Sequence, residues 1–339
     1  MNNRNSSFEL LRVVAILFVV THHVLLFGAD LCGYLSPFHP DASGIAAVLI
    51  NSVIVTGVSL FVMISGWFGI RKVWRPMVRL IIEVALFGAL SLGICLVLYH
   101  FYPIAKASGA WSLQRLWLSI KFTNWWFIVH YLLLVLCAPL IEKCLEAVTQ
   151  RQAEKIILCL MVANFVFGFA WDYVNSNGYN VVQFVLLYVI ARYMRLFPES
   201  KANRLVRRFA WLIIAVCAAS MARIYLLDST CWAPGHNAMV WNYNCPLVVV
   251  EAAAIFSLFT RLKFQSAAVN NTAALILGVY LIQSSPNLIY YRNALGQWLY
   301  GEWGFAGIAA TVVIIVAICL ALSAAVLLPA RFLLRKIGL

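Results

Sequence analysis

The sequence predicts an all-α, polytopic membrane protein with about ten transmembrane helices and both termini cytoplasmic, and three observations carry that expectation. Of 339 residues, 64% are hydrophobic and only 11% charged, whereas soluble domains carry roughly 25% charged residues. Apolar runs of about 20 residues, the length that crosses a bilayer as a helix, recur along the whole chain. The Lys and Arg residues alternate between rich and poor loops, as cytoplasmic and outer loops do.

Taken in order, the first run is 8–28, "FELLRVVAILFVVTHHVLLFG". It continues through Leu26 without the small-residue cleavage site of a secretory signal, so it is expected to remain as a helix. Further spans are expected at 44–70, 79–102, 125–145, 156–175, 179–197, 210–227, 246–260, 271–290 and 304–329. One set of loops holds Arg4; Arg71, Lys72, Arg75 and Arg79; Lys143, Arg151 and Lys155; Arg192, Arg195, Lys201, Arg204, Arg207 and Arg208; Arg261 and Lys263; and Arg331, Arg335 and Lys336. The other set holds only Lys106, Arg115, Lys121 and Arg292, with Arg12 and Arg223 inside spans. The net charge of +13 thus follows from topology, and no aromatic-basic groove for nucleic acid accompanies it. Residues 1–339 read as a single integral-membrane domain, surrounded by membrane lipids.

The informative residues are those that lipid should exclude, since an ionised side chain at the bilayer centre costs about 2.5–3.5 kcal/mol on insertion scales. Arg12 and His23 lie eleven residues apart, nearly three helical turns, and so share one face about 16 Å apart along the axis. Glu9 precedes Arg12 by three positions and can pair with it. Arg12 could alternatively snorkel to the cytoplasmic surface. His22 projects about 100° away from His23, which suits packing or a helix–helix hydrogen bond.

In the second span, Ser65-Gly66 permits close backbone approach, and Arg71, Lys72 and Arg75 stand at its cytoplasmic mouth. That pattern suits tight packing before an ordinary positive loop, or an anion site. The fourth span is entered through Trp125 and Trp126, an aromatic belt, followed by His130 and Tyr131. Glu83, Arg223 and Glu251 could pair or line a polar cavity, whereas Asp172 reads as solvated at the outer interface. In the ninth span Gln283, Ser284, Ser285, Pro286 and Asn287 form a polar patch tolerated only beside protein or water. Cys231 and Cys245 share an outer loop where a disulfide is plausible. No cysteine spacing suggests a metal site, and neither a phosphate loop, a nucleophile elbow nor a His-Glu metal motif is present.

Together, "FELLRVVAILFVVTHH", "LFVMISGWFGIRK", "WWFIVHYLLLVLCAPLI" and "LGVYLI" resemble, in order, the acyltransferase-3 family of bacterial inner-membrane O-acyltransferases. The resemblance implies transfer of an acyl group, commonly acetyl from acetyl-CoA, to a hydroxyl of a surface polysaccharide or lipid-linked glycan. It implies Arg12 and His23 as the functional pair, and it is similar to compact members acting on surface polysaccharide or the common antigen of enteric bacteria. Many members carry a His after "YLI", where this chain has Gln283, which cannot act as a general base.

The expected site follows. Arg12, Arg71, Lys72 and Arg75, beside Ser65, would meet the phosphates of acetyl-CoA at the cytoplasmic mouth. His23, supported by Arg12 and Glu9, would take the acceptor's proton or form a transient acyl-His. His130, Tyr131, Gln283 and Ser284 are the expected acceptor-binding residues, and no metal is required. The rival expectation is a proton-coupled secondary transporter of a small solute or glycan precursor, relaying protons through Glu9, His23, Glu83 and Glu251.

Overall fold

The structure is a computed structural model that describes residues 5–31, 42–104, 112–171, 176–228 and 237–336. Asn5 caps the first helix, α1 (Ser6–Phe27), by accepting a hydrogen bond from Ser7 N–H at 3.1 Å. The next apolar stretch bends at Val55-Thr56 into α2 (Ala42–Ile54) and α3 (Gly57–Phe68). The Thr56 hydroxyl donates to the Val53 carbonyl at 2.8 Å at that bend, an internal partner for a backbone group that lipid cannot satisfy. The chain continues through α4 (Trp74–Phe101), α5 (Leu113–Ile120) and α6 (Trp126–Ala147). Next come α7 (Gln150–Asn164), prolonged by a π-turn over Phe165–Ala170, and α8 (Val181–Leu196). After them lie α9 (Lys201–Asp228), α10 (Pro246–Thr260), α11 (Ala267–Ala273) and α12 (Ile276–Gln283). The last two are α13 (Ile289–Trp303) and α14 (Phe305–Lys336).

Among the described residues, eight helical segments are long and apolar enough to span a membrane, against the ten expected. The expected span 179–197 is α8, whose 16 residues reach only about 24 Å at 1.5 Å per residue. It is sheathed by protein, with Gln183, Phe184, Leu186, Leu187 and Tyr188 all buried, so its length need not match the hydrocarbon. Gly66 of α3 lies against it: a Cβ there would stand 2.3 Å from the Tyr188 carbonyl oxygen, the close approach expected at Ser65-Gly66.

The expected span 271–290 is not one helix. It divides at Ala274-Leu275 and stops at Gln283, because Pro286 supplies no N–H and disfavours helical backbone just before it. The chain then turns, and α13 lies across the outer end of α1. There the Gln297 side chain donates to the Phe27 carbonyl at 3.0 Å, and a Cβ on Gly28 would approach the Gly296 Cα to 3.2 Å.

Three further expectations change. Arg192, counted as a loop cation, is buried on α8 and pairs with Glu142 of α6 at 2.7 Å. Trp125 is not in an interfacial belt: it is 1% exposed, and its indole donates to the Leu281 carbonyl at 3.1 Å. Glu83, Arg223 and Glu251 do not gather, since Glu83 pairs with Arg79 at 3.0 Å, Arg223 is exposed and both Glu251 carboxyl oxygens are buried without a hydrogen-bond partner. Cys231 and Asp172 lie outside the described residues.

Candidate functional site

The polar residues form two groups at opposite ends of the bundle. The outer group centres on His23, in the last turns of α1, and is completed by the broken ninth segment. His23 Nδ1 lies 3.0 Å from Gln283 Oε1 at the end of α12. Arg292 of α13 reaches back into the same place, donating from Nη1 to Gln283 Oε1 and to the Gln283 carbonyl, each at 3.0 Å. Its Nη1 is 3.3 Å from His23 Nδ1, and its guanidinium lies over the Phe27 ring at 5.6 Å.

This arrangement holds the imidazole through its Nδ1. A guanidinium only donates, so the Gln283 atom facing Arg292 is its carbonyl oxygen, while its NH2 donates to Ser284 Oγ. The same Oε1 faces His23 Nδ1 and can only accept, whereas Arg292 Nη1 beside it can only donate, so the two neighbours of Nδ1 favour opposite tautomers of the ring. In the tautomer that donates to Gln283, Nε2 keeps its lone pair, as a general base requires. Gln283 cannot replace a histidine as a base, but it orients one.

Arg292 was counted among the sparse cations of the outer loops, and sequence reasoning missed it. Its distinguishing signal is its place six residues after Pro286, just beyond a polar break. Among the described residues it has no carboxylate partner. Its remaining donors meet Asn293 Oδ1, Nε at 3.1 Å and Nη2 at 2.8 Å, so its charge beside His23 is solvated by neutral acceptors.

His22 makes the helix–helix hydrogen bond expected of it, Nδ1 lying 2.7 Å from Asn51 Oδ1 of α2. His130 is not brought to His23. Its Nδ1 is 2.7 Å from the carbonyl of Trp126 on its own helix, and its ring lies near Phe184.

The second group lies at the end of the bundle that the cation asymmetry of the sequence assigns to the cytoplasm. A recess of about 400 Å³ is lined by Gly69, Arg71, Lys72, Met77 and Tyr131 among others. Ser65 Oγ and the Tyr131 hydroxyl are 3.1 Å apart beside it. The turn carrying the cations is pinned from inside: Ile70 N–H donates to the Tyr188 hydroxyl at 2.8 Å, and that hydroxyl donates to Glu142 at 2.8 Å. Arg71 meets Glu146 at 3.0 Å, while Arg75 is exposed and does not line the recess. Arg12 pairs with Glu9 at 2.5 Å and is not among the residues lining the recess.

An aromatic series connects the ends. Tyr131 stacks on Phe127 with ring centres 5.7 Å apart, and Phe127 meets Tyr280 of α12 at 5.5 Å. Tyr280 stands one turn before Gln283. Among the described residues no group of three or more His, Cys, Asp or Glu side chains gathers as metal ligands would.

Of the acids expected in a proton relay, Glu9 pairs with Arg12 on α1 and Glu83 with Arg79 on α4, while Glu251 is buried on α10. No solved structure matches the chain. A family model described as an acyltransferase domain matches residues 5–327, so nearly the whole chain, with both groups of residues inside it, belongs to the acyltransferase-3 family of membrane acyltransferases.

Proposed function

We propose that this protein is an O-acetyltransferase of the bacterial inner membrane. It moves acetyl from acetyl-CoA to a hydroxyl of a surface polysaccharide or lipid-linked glycan, of the kind represented by the common antigen of enteric bacteria. The observation that carries the reading is the His23–Gln283–Arg292 cluster: an imidazole held at Nδ1 by Gln283, beside a cation without a carboxylate partner among the described residues.

Acetyl-CoA is a cytosolic polyanion, and Arg71 and Lys72 at the inner recess, with exposed Arg75 nearby, provide cations for its phosphates. Its thin pantetheine arm suits the aromatic series Tyr131, Phe127 and Tyr280, which leads from that recess toward Gln283. His23 Nε2 takes the acceptor hydroxyl's proton as the oxygen attacks the thioester carbon. The C–O bond forms, the C–S bond breaks, and the proton passes from the imidazolium to the departing thiolate. Arg292 stabilises the negative charge that builds on the carbonyl oxygen, the kind of preorganised electrostatics that dominates acyl transfer. Arg12, paired with Glu9 near the cytoplasmic end of the same helix, supports the donor's entrance rather than the reacting atoms.

The test is transfer of radiolabelled acetyl from acetyl-CoA to glycan by membranes containing the protein. His23→Ala, checked for normal insertion, should lose about 10²–10⁴-fold in rate, the range of a general base. Full activity in that variant defeats the assignment. Ping-pong kinetics would replace direct attack with an acyl-His intermediate.

A further inference from the structure

A second recess, of about 390 Å³, opens at the cytoplasmic ends of α9 and α10 and is lined by four arginines: Arg204, Arg207, Arg208 and Arg261. Arg204, Arg207 and Arg208 share one face of α9 at i, i+3 and i+4, just before the helix is kinked at Phe209, where φ is −111° and ψ 20°. The first turns of α9 are thereby set off from the membrane-spanning remainder. Two of the four are anchored by the fold. Arg207 donates to the Pro198 carbonyl at 2.7 Å and meets Glu199 at 3.3 Å, and Arg261 donates to the Arg207 carbonyl at 3.0 Å. Arg208 lies over the Phe209 ring at 5.3 Å, and Glu199 is the one carboxylate paired with the group among the described residues.

Four guanidinium groups facing one opening repel each other unless an anion lies between them. We propose that this recess holds the headgroup phosphate of an anionic phospholipid of the cytoplasmic leaflet. Two observations favour lipid over a soluble anion. The arginines sit at the cytoplasmic ends of spanning helices, level with the headgroups and with the negative surface potential of that leaflet. Directly beyond them on the membrane side, Trp211 and Leu212 are exposed along α9, an apolar wall for acyl chains. The recess lies apart from the residues assigned to acetyl transfer, so the proposal does not depend on that reaction.

The experiment titrates purified protein in neutral detergent with phosphatidylglycerol, and separately with phosphatidylcholine of the same chains. It follows the thermal unfolding midpoint and the lipid retained in native mass spectrometry. Phosphatidylglycerol should bind and raise the midpoint in a saturable way, and phosphatidylcholine should not. Arg204→Gln with Arg208→Gln removes the two arginines that hold no backbone carbonyl, and should weaken phosphatidylglycerol about fivefold per arginine. Arg204→Lys with Arg208→Lys should retain most of the affinity. Equal effects of the two lipids, or unchanged phosphatidylglycerol affinity in the glutamine variant, overturn the proposal. If inorganic phosphate or CoA alone reproduces the shift and displaces phosphatidylglycerol, the site serves a soluble anion and the lipid assignment fails. The wild-type titrations decide between these sources even if a variant folds poorly.

Discussion

The His23 cluster and the cytoplasmic recess both place cations where an acyl donor would need them, but they are built in opposite ways. At His23 one guanidinium is held by several hydrogen bonds from α12 and α13, in surroundings where charge is weakly screened. At the recess Arg71 and Lys72 are exposed, screened by solvent and salt, and the turn beneath them rather than their side chains is fixed. The first design suits stabilising charge that appears only during reaction. The second suits attracting a soluble polyanion without holding it too tightly.

The contrast makes predictions that differ in kinetic parameter as well as size. The largest effect is expected at Arg292. Arg292→Gln should lower kcat about 10²–10³-fold, as loss of an oxyanion donor does, while leaving the KM for acetyl-CoA nearly unchanged. Arg292→Lys should recover part of that loss. Steady-state kinetics at varied donor concentration checks both, and an effect confined to KM would erase the distinction between the regions.

Gln283→Ala should come next. It removes the acceptor that orients His23 Nδ1 and a partner of Arg292, and the cost of buried groups left unpaired corresponds to about 10–100-fold in kcat. Lys72→Gln should raise the KM for acetyl-CoA about three- to fivefold with kcat retained, an effect that fades as salt is added. Arg71→Gln should do least, about twofold at most, because Glu146 already offsets its charge in an exposed pair. A salt-independent Lys72 effect would show that the recess resembles the outer cluster after all.

Much of this arrangement was legible in the sequence because it repeats along the chain. Apolar length located eight of the ten expected spans, and cation asymmetry gave an orientation for them. An eleven-residue step placed Arg12 and His23 on one face, and Ser65-Gly66 announced a close helix contact. Arg292 and the orienting role of Gln283 were hidden because they depend on where α13 goes after the break at Pro286, which helical periodicity cannot say. Arg192 was misassigned for a related reason. An arginine near a helix end reads as a loop cation unless its partner is known, and Glu142 lies 50 residues earlier in the chain. The burial of Trp125 rests on the Leu281 carbonyl at the other side of such a contact.

The placement of α13 bears on waste as well as on reaction. By bonding to α1 at Phe27 and pressing Gly296 onto Gly28, it packs against the end of α1 that carries His23. A thioester carried to an active base hydrolyses if water arrives before an acceptor does, and every such event spends donor without modifying glycan. Gly296→Leu should prise α13 from α1 and raise acetyl-CoA hydrolysis measured without acceptor more than it lowers transfer. For the proposed reaction, the broken ninth segment then has a second use beyond delivering an arginine: the helix that follows it is the candidate cover that would keep donor consumption coupled to acceptor supply.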